Sequence, residues 1–384
     1  MSLDFEKIPS PSYVLNEQSL RINLEILRSI QDKADIKIIC ALKGFSFWYT
    51  FPMIANYLSG ATASSLNEAR LIVEEMGCEA HTYCPVYKKE EFDTLLLYSS
   101  HLTFNSISQY AYFFPQTKNL PKKVSFGLRI NPEYSEVKTD IYNPALEGSR
   151  LGIPRHMLGN TLPEGIEGIH FHVLCENNSY TLERTLKIVE AKFGDLIRQA
   201  KWINMGGGHL ITKEGYDVDH LIQILQDFKQ RYPNLKEIIL EPGEAIGWQT
   251  GFLVSSIQDI IPQKNFNIAM LDVSFSCHMP DCLEMPYKPS ILQAHNPKPG
   301  DKFIYRMGGC SCLAGDFMGM GDYAFDEPLE CNERIIFEDM IHYTMVKTTF
   351  FNGIQHPNIC VWTENDEVLI LRNFDYEDYK NKLS

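Results

Sequence analysis

The chain has 384 residues, of which 44% are hydrophobic and 22% charged. That length exceeds one typical domain and suits two, and the composition is ordinary for a folded protein. A formal net charge of -14 argues against a nucleic-acid surface, which needs clustered lysine and arginine. No apolar run approaches the roughly 18 residues of a membrane span, and the N-terminus lacks the pattern of a secretory signal. Together with ten cysteines, expected to be reduced thiols, this predicts a cytoplasmic protein.

The first two-thirds of the chain alternates short apolar segments with longer helical patterns, which is typical of parallel strands joined by helices. The predicted strands are 36–42, 60–64, 80–84, 101–105, 124–130, 167–173, 201–205 and 236–241. The predicted helices are 17–30, 49–58, 66–76, 88–98, 106–114, 179–200 and 217–230. Eight such strands over about 230 residues favour a (β/α)8 barrel, usually about 250 residues long, over the alternative of an open doubly wound sheet. The irregular connection 131–165 is expected to run over the surface.

Beyond about residue 245, turn clusters replace the helical periodicity, which predicts a separate β domain. Its predicted strands are 252–261, 266–273, 301–306, 334–337, 342–350, 358–363 and 366–372. We therefore assign residues 12–244 to the barrel and residues 245–384 to a β-sandwich or β-barrel domain. Residues 1–11 form a segment that can pack with this second domain.

A (β/α)8 barrel builds its active site at the carboxyl ends of its strands. The sequence places Lys43, Arg129, His172, the turn Gly206–Gly208 and Glu241 at such ends. Lys43 follows an apolar run, and burial would lower the pKa of its ammonium group and free the amine to attack a carbonyl. The glycines could present backbone N–H groups to a phosphate, and Glu241 could pair with a protonated ring nitrogen. Their convergence on one mouth carries more weight than any single residue.

Each of these residue types also has an ordinary structural interpretation. A lysine can extend from a strand end into solvent, a glycine triplet can serve a tight turn, and a carboxylate can cap one. A strand histidine such as His172 is more often a core residue, and we expect His170 to face the opposite side of the strand. Ser65 and Glu68, after the second strand, are interpreted as a helix capping box.

In the predicted β domain, the segment Gly309–Asp316 (GCSCLAGD) combines small residues with two thiols. From its residues alone it could be a buried turn. Cys277, His278 and Cys282 raise the question of a zinc site, but their spacing fits no common ligand pattern and a second cysteine pair is missing. We therefore expect no metal.

The motifs follow one another in a recognisable order over nearly the whole chain. They are Cys-Ala-Leu-Lys43, Phe-His172-Val, Met-Gly-Gly-Gly208, Glu241-Pro-Gly, Cys312…Asp316 and Tyr343-Thr…Phe351-Asn-Gly. In this order they resemble the fold-type III pyridoxal-phosphate decarboxylases, which share the fold of alanine racemase and ornithine decarboxylase. The short chain, Glu-Pro-Gly-Glu244-Ala and the segment ending at Asp316 resemble, within that family, the carboxynorspermidine/carboxyspermidine decarboxylases.

The resemblance implies pyridoxal 5′-phosphate as the cofactor and assigns a role to each motif. Lys43 would carry the cofactor as a Schiff base, and Cys312 would return a proton to the substrate carbon after carbon dioxide leaves. His172 would stack on the cofactor ring, and Glu241 would keep its nitrogen protonated so that the ring acts as an electron sink. The other implied cofactor-binding residues are Arg129, Gly206, Gly207, Gly208 and Tyr343. The implied substrate-binding residues are Asp316, for the distal amine, with Glu244 and Asp281.

The resemblance also implies an obligate homodimer with shared active sites, in which the Cys312 loop of one subunit completes the site of the other. Two departures bear on the substrate. Glu244 stands where many relatives have arginine, and Leu313 stands where diaminopimelate decarboxylases usually have glutamate. A distal carboxylate on the substrate would favour arginine, whereas a polyamine tail favours carboxylates. We therefore expect a cationic substrate.

The prediction is α-decarboxylation of carboxynorspermidine or carboxyspermidine, giving norspermidine or spermidine in polyamine biosynthesis. One alternative is another basic amino-acid decarboxylase of the same fold, acting on diaminopimelate, ornithine or arginine. A second is an amino-acid racemase, which would need a tyrosine at the thiol position. A third is a non-catalytic, decarboxylase-like regulator that binds a partner protein, and the intact Lys43 and Cys312 speak against it.

Overall fold

The computed structural model describes residues 3–118, 120 and 122–384. They divide into two compact units. One is Asn23–Ile246, and the other is Gly247–Ser384 together with the described residues up to Ile22. Among the described residues, no helix is both long enough and apolar enough to cross a membrane.

The two units contain the following elements. The strands are β1 Ser12–Asn16, β2 Lys37–Ile38, β3 Cys40–Ala41, β4 Ala61–Ala63, β5 Ala80–Tyr83, β6 Ser99–Phe104, β7 Ser125–Asn131, β8 Ile153–Pro154, β9 Ile166–His170, β10 Trp202–Asn204, β11 Glu237–Leu240, β12 Gly251–Pro262, β13 Asn267–Leu271, β14 Phe303–Gly308, β15 Tyr323–Phe325, β16 Arg334–Glu338, β17 Asn358–Trp362 and β18 Val368–Arg372. The helices are α1 Glu17–Ala34, α2 Phe51–Tyr57, α3 Leu66–Leu71, α4 Lys89–Tyr98, α5 Ile107–Phe113, α6 Ser179–Ile197, α7 Val218–Arg231, α8 Glu244–Gly247, α9 Phe275–His278, α10 Pro280–Glu284, α11 Tyr343–Val346 and α12 Tyr376–Leu383.

The first unit is a parallel barrel. Its sheet runs in the order β2-β11-β10-β9-β7-β6-β5-β4-β3, with β8 paired to β7. We call each of the eight strand positions around the barrel a stave. Strands β2 and β3 together form the first stave, which is interrupted at Ile39. The Ile39 N–H donates to Leu240 O at 2.9 Å, and the Cys40 N–H donates to Gly60 O at 2.9 Å. The first stave therefore bonds to both the last and the second, and the predicted (β/α)8 barrel is confirmed.

The amino-terminal end of this barrel is filled by Trp202, which explains two glycines. A Cβ atom at Gly168 would lie 1.9 Å from the Trp202 indole, and one at Gly127 would lie 2.3 Å from it. The indole Nε1–H donates to Ser125 Oγ at 2.8 Å. The indole therefore packs where the strands begin, whereas a barrel of this kind carries its functional groups at the opposite end, where the strands finish.

The second unit is built on a mixed sheet in the order β15-β14-β13-β12-β1-β17-β18, with β16 also paired to β12. Strand β1 runs antiparallel to β12 and parallel to β17. The sequence-based barrel boundary at residue 12 is therefore wrong, because Ser12–Asn16 is a central strand of this second sheet. Val14 packs there with Val254 and Ile336, a long-range partnership that local sequence patterns do not reveal.

One strand predicted for the second unit was wrong, and one strand was missed. Residues 342–350 contain no strand, and Tyr343–Val346 forms a single helical turn, closed by the Lys347 N–H donating to Tyr343 O at 3.1 Å. Strand preference depends on a neighbouring strand to pair with, and this segment has none among the described residues. The short strand Tyr323–Phe325 was missed because three residues carry too little periodicity to detect.

Candidate active site

Lys43 stands just beyond β3, with its amine at the mouth of the barrel. The side chain is exposed at this mouth, and protein atoms around its amine displace part of the water that would solvate its charge. This desolvation lowers the pKa of Lys43, and nearby Arg129 lowers it further, while Glu241 acts in the opposite direction. The lowered pKa favours an uncharged amine, which is the form that can attack a carbonyl.

His172 lies beside this amine, with Nε2 3.4 Å from Lys43 Nζ. The other ring nitrogen, Nδ1, accepts a hydrogen bond of 2.8 Å from the Gly207 N–H. Because Nδ1 must be unprotonated to accept, we assign the proton of the neutral ring to Nε2. Burial, followed by the charges of Lys43 and Arg129, places the pKa of His172 well below its ordinary value. The ring therefore presents an N–H to Lys43, and this arrangement favours the uncharged amine.

The turn Gly206–Gly208 follows β10 and needs glycine at every position. Gly206 and Gly208 have φ of +75° and +83°, where a side chain is strained. At Gly207 a Cβ atom would lie 2.3 Å from Glu241 O. Two of the three N–H groups are engaged inside the barrel, since Gly206 donates to Asn204 Oδ1 at 2.8 Å and Gly207 to His172. The Gly208 end is thus the part of the turn best able to offer an N–H to a phosphate.

Glu241 is a buried carboxylate immediately after β11, and it has two partners. His170 Nε2 lies 3.1 Å from Oε1, and Asn204 Nδ2 donates to Oε2 at 2.9 Å. Burial raises the pKa of Glu241, but His170, Asn204 and Lys43 together outweigh it and leave the pKa below its ordinary value. Because Asn204 Oδ1 accepts from the Gly206 N–H, its amide can only donate toward Glu241. The structure therefore maintains an ionised carboxylate among the strand ends.

Arg129, in β7, is almost fully buried and supports the histidine backbone. Its Nη2 donates to His172 O at 3.0 Å, and its guanidinium lies 4.6 Å from the centroid of the Tyr83 ring. The Tyr83 hydroxyl donates to Asn105 Oδ1 at 2.7 Å, which fixes the ring beneath the cation. Arg129 thus holds the position of His172 from the interior of the barrel.

The expectation that His170 faces away from His172 was wrong. Residues two apart on a strand share a face, and His170 lies against Glu241 while His172 lies against Lys43. Sequence reasoning also missed Asn204 and Tyr83. A polar residue inside an apolar strand, as in Trp-Ile-Asn204-Met, was the available signal for Asn204, because a buried amide requires partners.

Ser65 and Glu68 form a helix N-terminus much as predicted, with one difference. Ser65 Oγ accepts from the Glu68 N–H at 3.2 Å, but the Glu68 carboxylate accepts from the Ser64 N–H, at 2.6 Å, instead of the Ser65 N–H. Burial raises the pKa of Glu68 against the lowering effects of that bond and of Lys43. Glu244 begins α8, and its backbone N would lie 3.1 Å from a Cβ atom at Gly44, directly after Lys43. Glu244 is thus placed at the barrel mouth.

His209 follows the glycine turn and is 1% exposed, and neither ring nitrogen has a partner among the described residues. Burial lowers the pKa of His209 to about 4. The unfolded chain therefore binds a proton in a range where the folded chain does not, and stability is lost as the pH falls from about 6.5 toward 4. The contribution of His209 to this loss is about 2 kcal/mol at pH 5.

We expect His209→Phe to reduce the acid sensitivity of the fold. The free energy of unfolding, measured by urea denaturation at pH 7.5 and pH 5, should fall by about 2 kcal/mol less in the variant than in the unaltered protein. His156→Phe, at an exposed position, is the matched control and should behave like the unaltered protein. An equal acid-induced loss in His209→Phe and the unaltered protein would contradict a buried, uncharged His209.

The second unit contains the remaining predicted site residues. Cys312 is exposed, and its N–H donates to Asn352 Oδ1 at 2.8 Å. Asp316 is buried in the same loop. Asp281 pairs with Lys347 at 2.6 Å, and Lys347 also pairs with Glu284 at 2.7 Å, so one cation is shared by two carboxylates. Tyr343 is half-buried at the start of α11.

The three residues considered for a zinc site are held by contacts within the fold. They are Cys277, His278 and Cys282. The Ser274 N–H donates to His278 Nδ1 at 3.1 Å, and Cys277 Sγ lies 3.6 Å from Phe351 O. Burial lowers the pKa of His278 to about 3 and raises that of Cys282 to about 12. No cluster of metal-ligating side chains is found among the described residues.

A barrel mouth with a lysine of lowered pKa, a buried carboxylate and a glycine turn, in a chain that also carries a mixed sheet, defines a class of enzyme. The family model described as pyridoxal-dependent decarboxylase, C-terminal sheet domain, matches residues 13–341. The chain belongs to the pyridoxal-dependent decarboxylases, and the family resemblance seen in its motifs is confirmed. It is a carboxy-lyase whose cofactor is pyridoxal phosphate.

Individual relatives cover almost the whole chain. The chain is 51% identical over 376 residues to carboxyaminopropylagmatine decarboxylase of Synechocystis sp., covering 98% of this chain and 96% of the relative. It is 44% identical over 385 residues to carboxynorspermidine/carboxyspermidine decarboxylase of Campylobacter jejuni, covering 98% of each. The crystal structure of carboxynorspermidine decarboxylase complexed with norspermidine from Campylobacter jejuni matches with a TM-score of 0.89 and 42% identity, covering 98% of this chain and 100% of that one.

The barrel mouth fits pyridoxal phosphate by the chemistry of its donors. An aldehyde needs an uncharged amine, and the pKa of Lys43 is lowered. A protonated pyridine nitrogen needs an ionised carboxylate, and the pKa of Glu241 is lowered despite burial. Close backbone approach needs glycine, and a Cβ atom at any position of the turn Gly206–Gly208 would clash with backbone. Lys43, Glu241 and the turn Gly206–Gly208 are therefore the residues that would hold pyridoxal phosphate.

Proposed function

We propose that this enzyme removes the α-carboxylate of a carboxylated polyamine. The proposal rests on the pairing of Lys43 and Glu241 at one barrel mouth in a chain that is 51% and 44% identical to decarboxylases of such compounds. The family membership settles the reaction class, and the proposal concerns the substrate. Leu313 and Glu244 support it, because neither side chain can bind a distal carboxylate as an arginine would.

The roles of Lys43 and Glu241 are proposed from their surroundings, and those of His172 and Cys312 from the family resemblance. Pyridoxal phosphate, when bound, supplies an acceptor for the electrons left behind by carbon dioxide. Lys43 is the attachment point, because its amine is desolvated and His172 presents an N–H to it. Glu241 would hold a proton on the ring nitrogen, His172 would pack against the ring, and Cys312 would deliver a proton to the carbon that has lost its carboxylate.

Two kinds of substrate come into consideration. The first kind comprises carboxynorspermidine and carboxyspermidine, which appear in the name of the Campylobacter jejuni relative and end in an amine. Carboxyaminopropylagmatine ends in a guanidinium group and is named for the Synechocystis sp. relative, which is the more similar of the two. We propose the carboxylated triamines as substrates, as the motifs predict, with carboxyaminopropylagmatine as the second candidate because of that higher identity.

We further propose a cytoplasmic homodimer with shared active sites. Ten free cysteines in the described part of the chain support a reducing compartment. The shared site is supported by the likeness of the Cys312 loop to the loop that crosses the subunit boundary in this family. The same likeness is the basis for assigning phosphate contact to Tyr343 and substrate contact to Asp281 and Glu244.

Carbon dioxide release should distinguish the candidate substrates. We expect kcat/KM for a carboxylated triamine or for carboxyaminopropylagmatine to exceed that for diaminopimelate, ornithine and arginine by at least roughly tenfold, the value of one charge-assisted contact to the tail. Carboxynorspermidine and carboxyspermidine differ by one methylene, which a pocket separates by only about 1–3 kcal/mol. A clear preference for diaminopimelate, ornithine or arginine would contradict the proposed substrate class.

A further inference from the structure

Asp316 is 5% exposed, and both of its carboxylate oxygens are engaged by backbone groups. Oδ1 accepts from the Ser276 N–H at 3.0 Å, and Oδ2 accepts from the Ser311 N–H at 2.9 Å. Ser311 precedes Cys312, whereas Ser276 lies in the short helix α9. One carboxylate therefore ties the thiol loop to a separate segment of the same unit.

The rest of the loop is folded around this carboxylate. The Gly309 N–H donates to Asp316 O at 2.7 Å, and the Asp316 N–H donates to Leu313 O at 3.0 Å. A Cβ atom at Gly309 would lie 2.4 Å from Asp316 Oδ2, so the glycine is required for the carboxylate to sit where it does. The segment from Gly309 to Asp316 is thus a closed turn with the Asp316 side chain in its centre.

Asn352 provides a second attachment, next to the first. Its Oδ1 accepts from the Cys312 N–H at 2.8 Å. Asn352 has a φ of +57°, a conformation that asparagine, aspartate and glycine tolerate better than other residues. Cys312 is therefore held through its own N–H by Asn352 and through the preceding N–H by Asp316.

We infer that Asp316, together with Asn352, is a positioning residue for the Cys312 thiol and does not bind the distal amine of the substrate. The inference rests on the proposed role of Cys312 as proton donor. A carboxylate that is nearly inaccessible and bonded through each oxygen to a backbone N–H is already satisfied within its own unit. Its removal would release the thiol loop, and a proton donor must be held near hydrogen-bond distance of its target to act.

The test uses the intact, cofactor-loaded enzyme and the variant Asp316→Asn. Positioning predicts that kcat falls by about tenfold or more, since the amide keeps only one acceptor oxygen and so loses one of the two N–H bonds that hold the proton donor in place. It also predicts that the inhibition constant of norspermidine or spermidine stays within about threefold, because the tail keeps its contacts. The rate at which iodoacetamide alkylates Cys312, followed by peptide mass spectrometry, should change by about fivefold or more as the loop is released. Asp322→Asn, which breaks an ion pair with Arg306 in the same unit, is the control and should change none of these values.

Asn352 supplies a test that does not depend on the folding of an Asp316 variant. Asn352→Gly keeps the positive φ and removes the acceptor, and it should reproduce the loss of kcat and the altered alkylation. Asn352→Asp keeps an acceptor and should recover most of that loss. A rise in the inhibition constant of about tenfold in Asp316→Asn, with kcat and alkylation unchanged, would overturn the inference and restore Asp316 as a tail contact.

A reference variant separates this inference from the proposed function on which it rests. If Cys312→Ala keeps the kcat and product of the unaltered enzyme, Cys312 is not the proton donor and the proposed function of the thiol fails. If Cys312→Ala is impaired while Asp316→Asn and Asn352→Gly leave kcat and Cys312 alkylation unchanged, the positioning inference alone fails.

Discussion

Lys43→Ala should lower kcat by roughly a thousandfold or more, because alanine removes the only group proposed to attach the cofactor. The amine of Lys43, beside His172, has the lowered pKa that attack on a carbonyl requires. Alanine has no amine to take its place. In the unaltered enzyme, borohydride should make the attachment irreversible and leave the cofactor on the peptide that contains Lys43. Absorbance of the cofactor and mass spectrometry of the peptides measure the two effects.

Lys37→Ala is the matched control. Lys37 begins the stave that Lys43 follows, and its amine pairs with Glu237 at 2.8 Å. This variant should keep the cofactor and most of the activity, since an exposed ion pair stabilises the fold only weakly. Label on a lysine other than Lys43, or normal turnover by Lys43→Ala, would refute the assignment of Lys43.

Mixed dimers of Lys43→Ala and Cys312→Ala subunits should recover activity that both parents lack. Lys43→Ala loses cofactor attachment, whereas Cys312→Ala should bind cofactor normally and fail at protonation, so that wrongly protonated products form. If each site takes its lysine from one chain and its thiol from the other, a mixed dimer has one site with both lesions and one with neither. With random pairing of equal amounts, half the dimers are mixed, and about a quarter of all sites should be active.

Recovery requires that subunits exchange, so it should follow co-expression or mild dissociation and be absent after brief mixing. Dimers that carry two different tags allow the mixed species to be isolated before the assay. A pairing of Lys43→Ala with Asp322→Asn is the control for exchange itself, and each of its intact sites should remain active. Purified mixed dimers as inactive as both parents would show that Cys312 acts within its own chain or has another role.

The barrel was predictable because its determinants are local. Each stave is a short apolar segment, and each helix shows its own periodicity, so eight units could be counted before any contact was known. The positions of Lys43 and Glu241 were predictable for the same reason, since parallel strands bring their carboxyl ends to one edge of the barrel. Gly206–Gly208 alone could equally have served a tight turn, and it was assigned to the site because it follows a predicted strand and has its place in the order of motifs.

The pairing partners of the strands and the hydrogen-bond partners of the site residues could be learned only from the tertiary structure. Strand β1 joins a sheet whose other strands follow more than 230 positions later, as in the pairing of Ser12 with Val254 and with Asn358. Asn204 could be seen in the sequence, but its links to Glu241 and to the Gly206 N–H exist only because neighbouring staves lie side by side.

The sequence by itself determined that this chain forms a parallel barrel with a lysine and a carboxylate at its mouth. Each strand and each helix can be recognised from the hydrophobic pattern of its own short segment, and their order is that of the chain. Only the tertiary structure showed which groups surround the charged side chains. The motifs predict that Asp316 receives a substrate amine, and the fold adds the observation behind our inference of a positioning role, that its two oxygens accept from the N–H groups of Ser276 and Ser311. The physical reason is that the free energy of a buried carboxylate depends on which donors surround it, and one of those donors, the Ser276 N–H, comes from a segment 40 positions away in the chain.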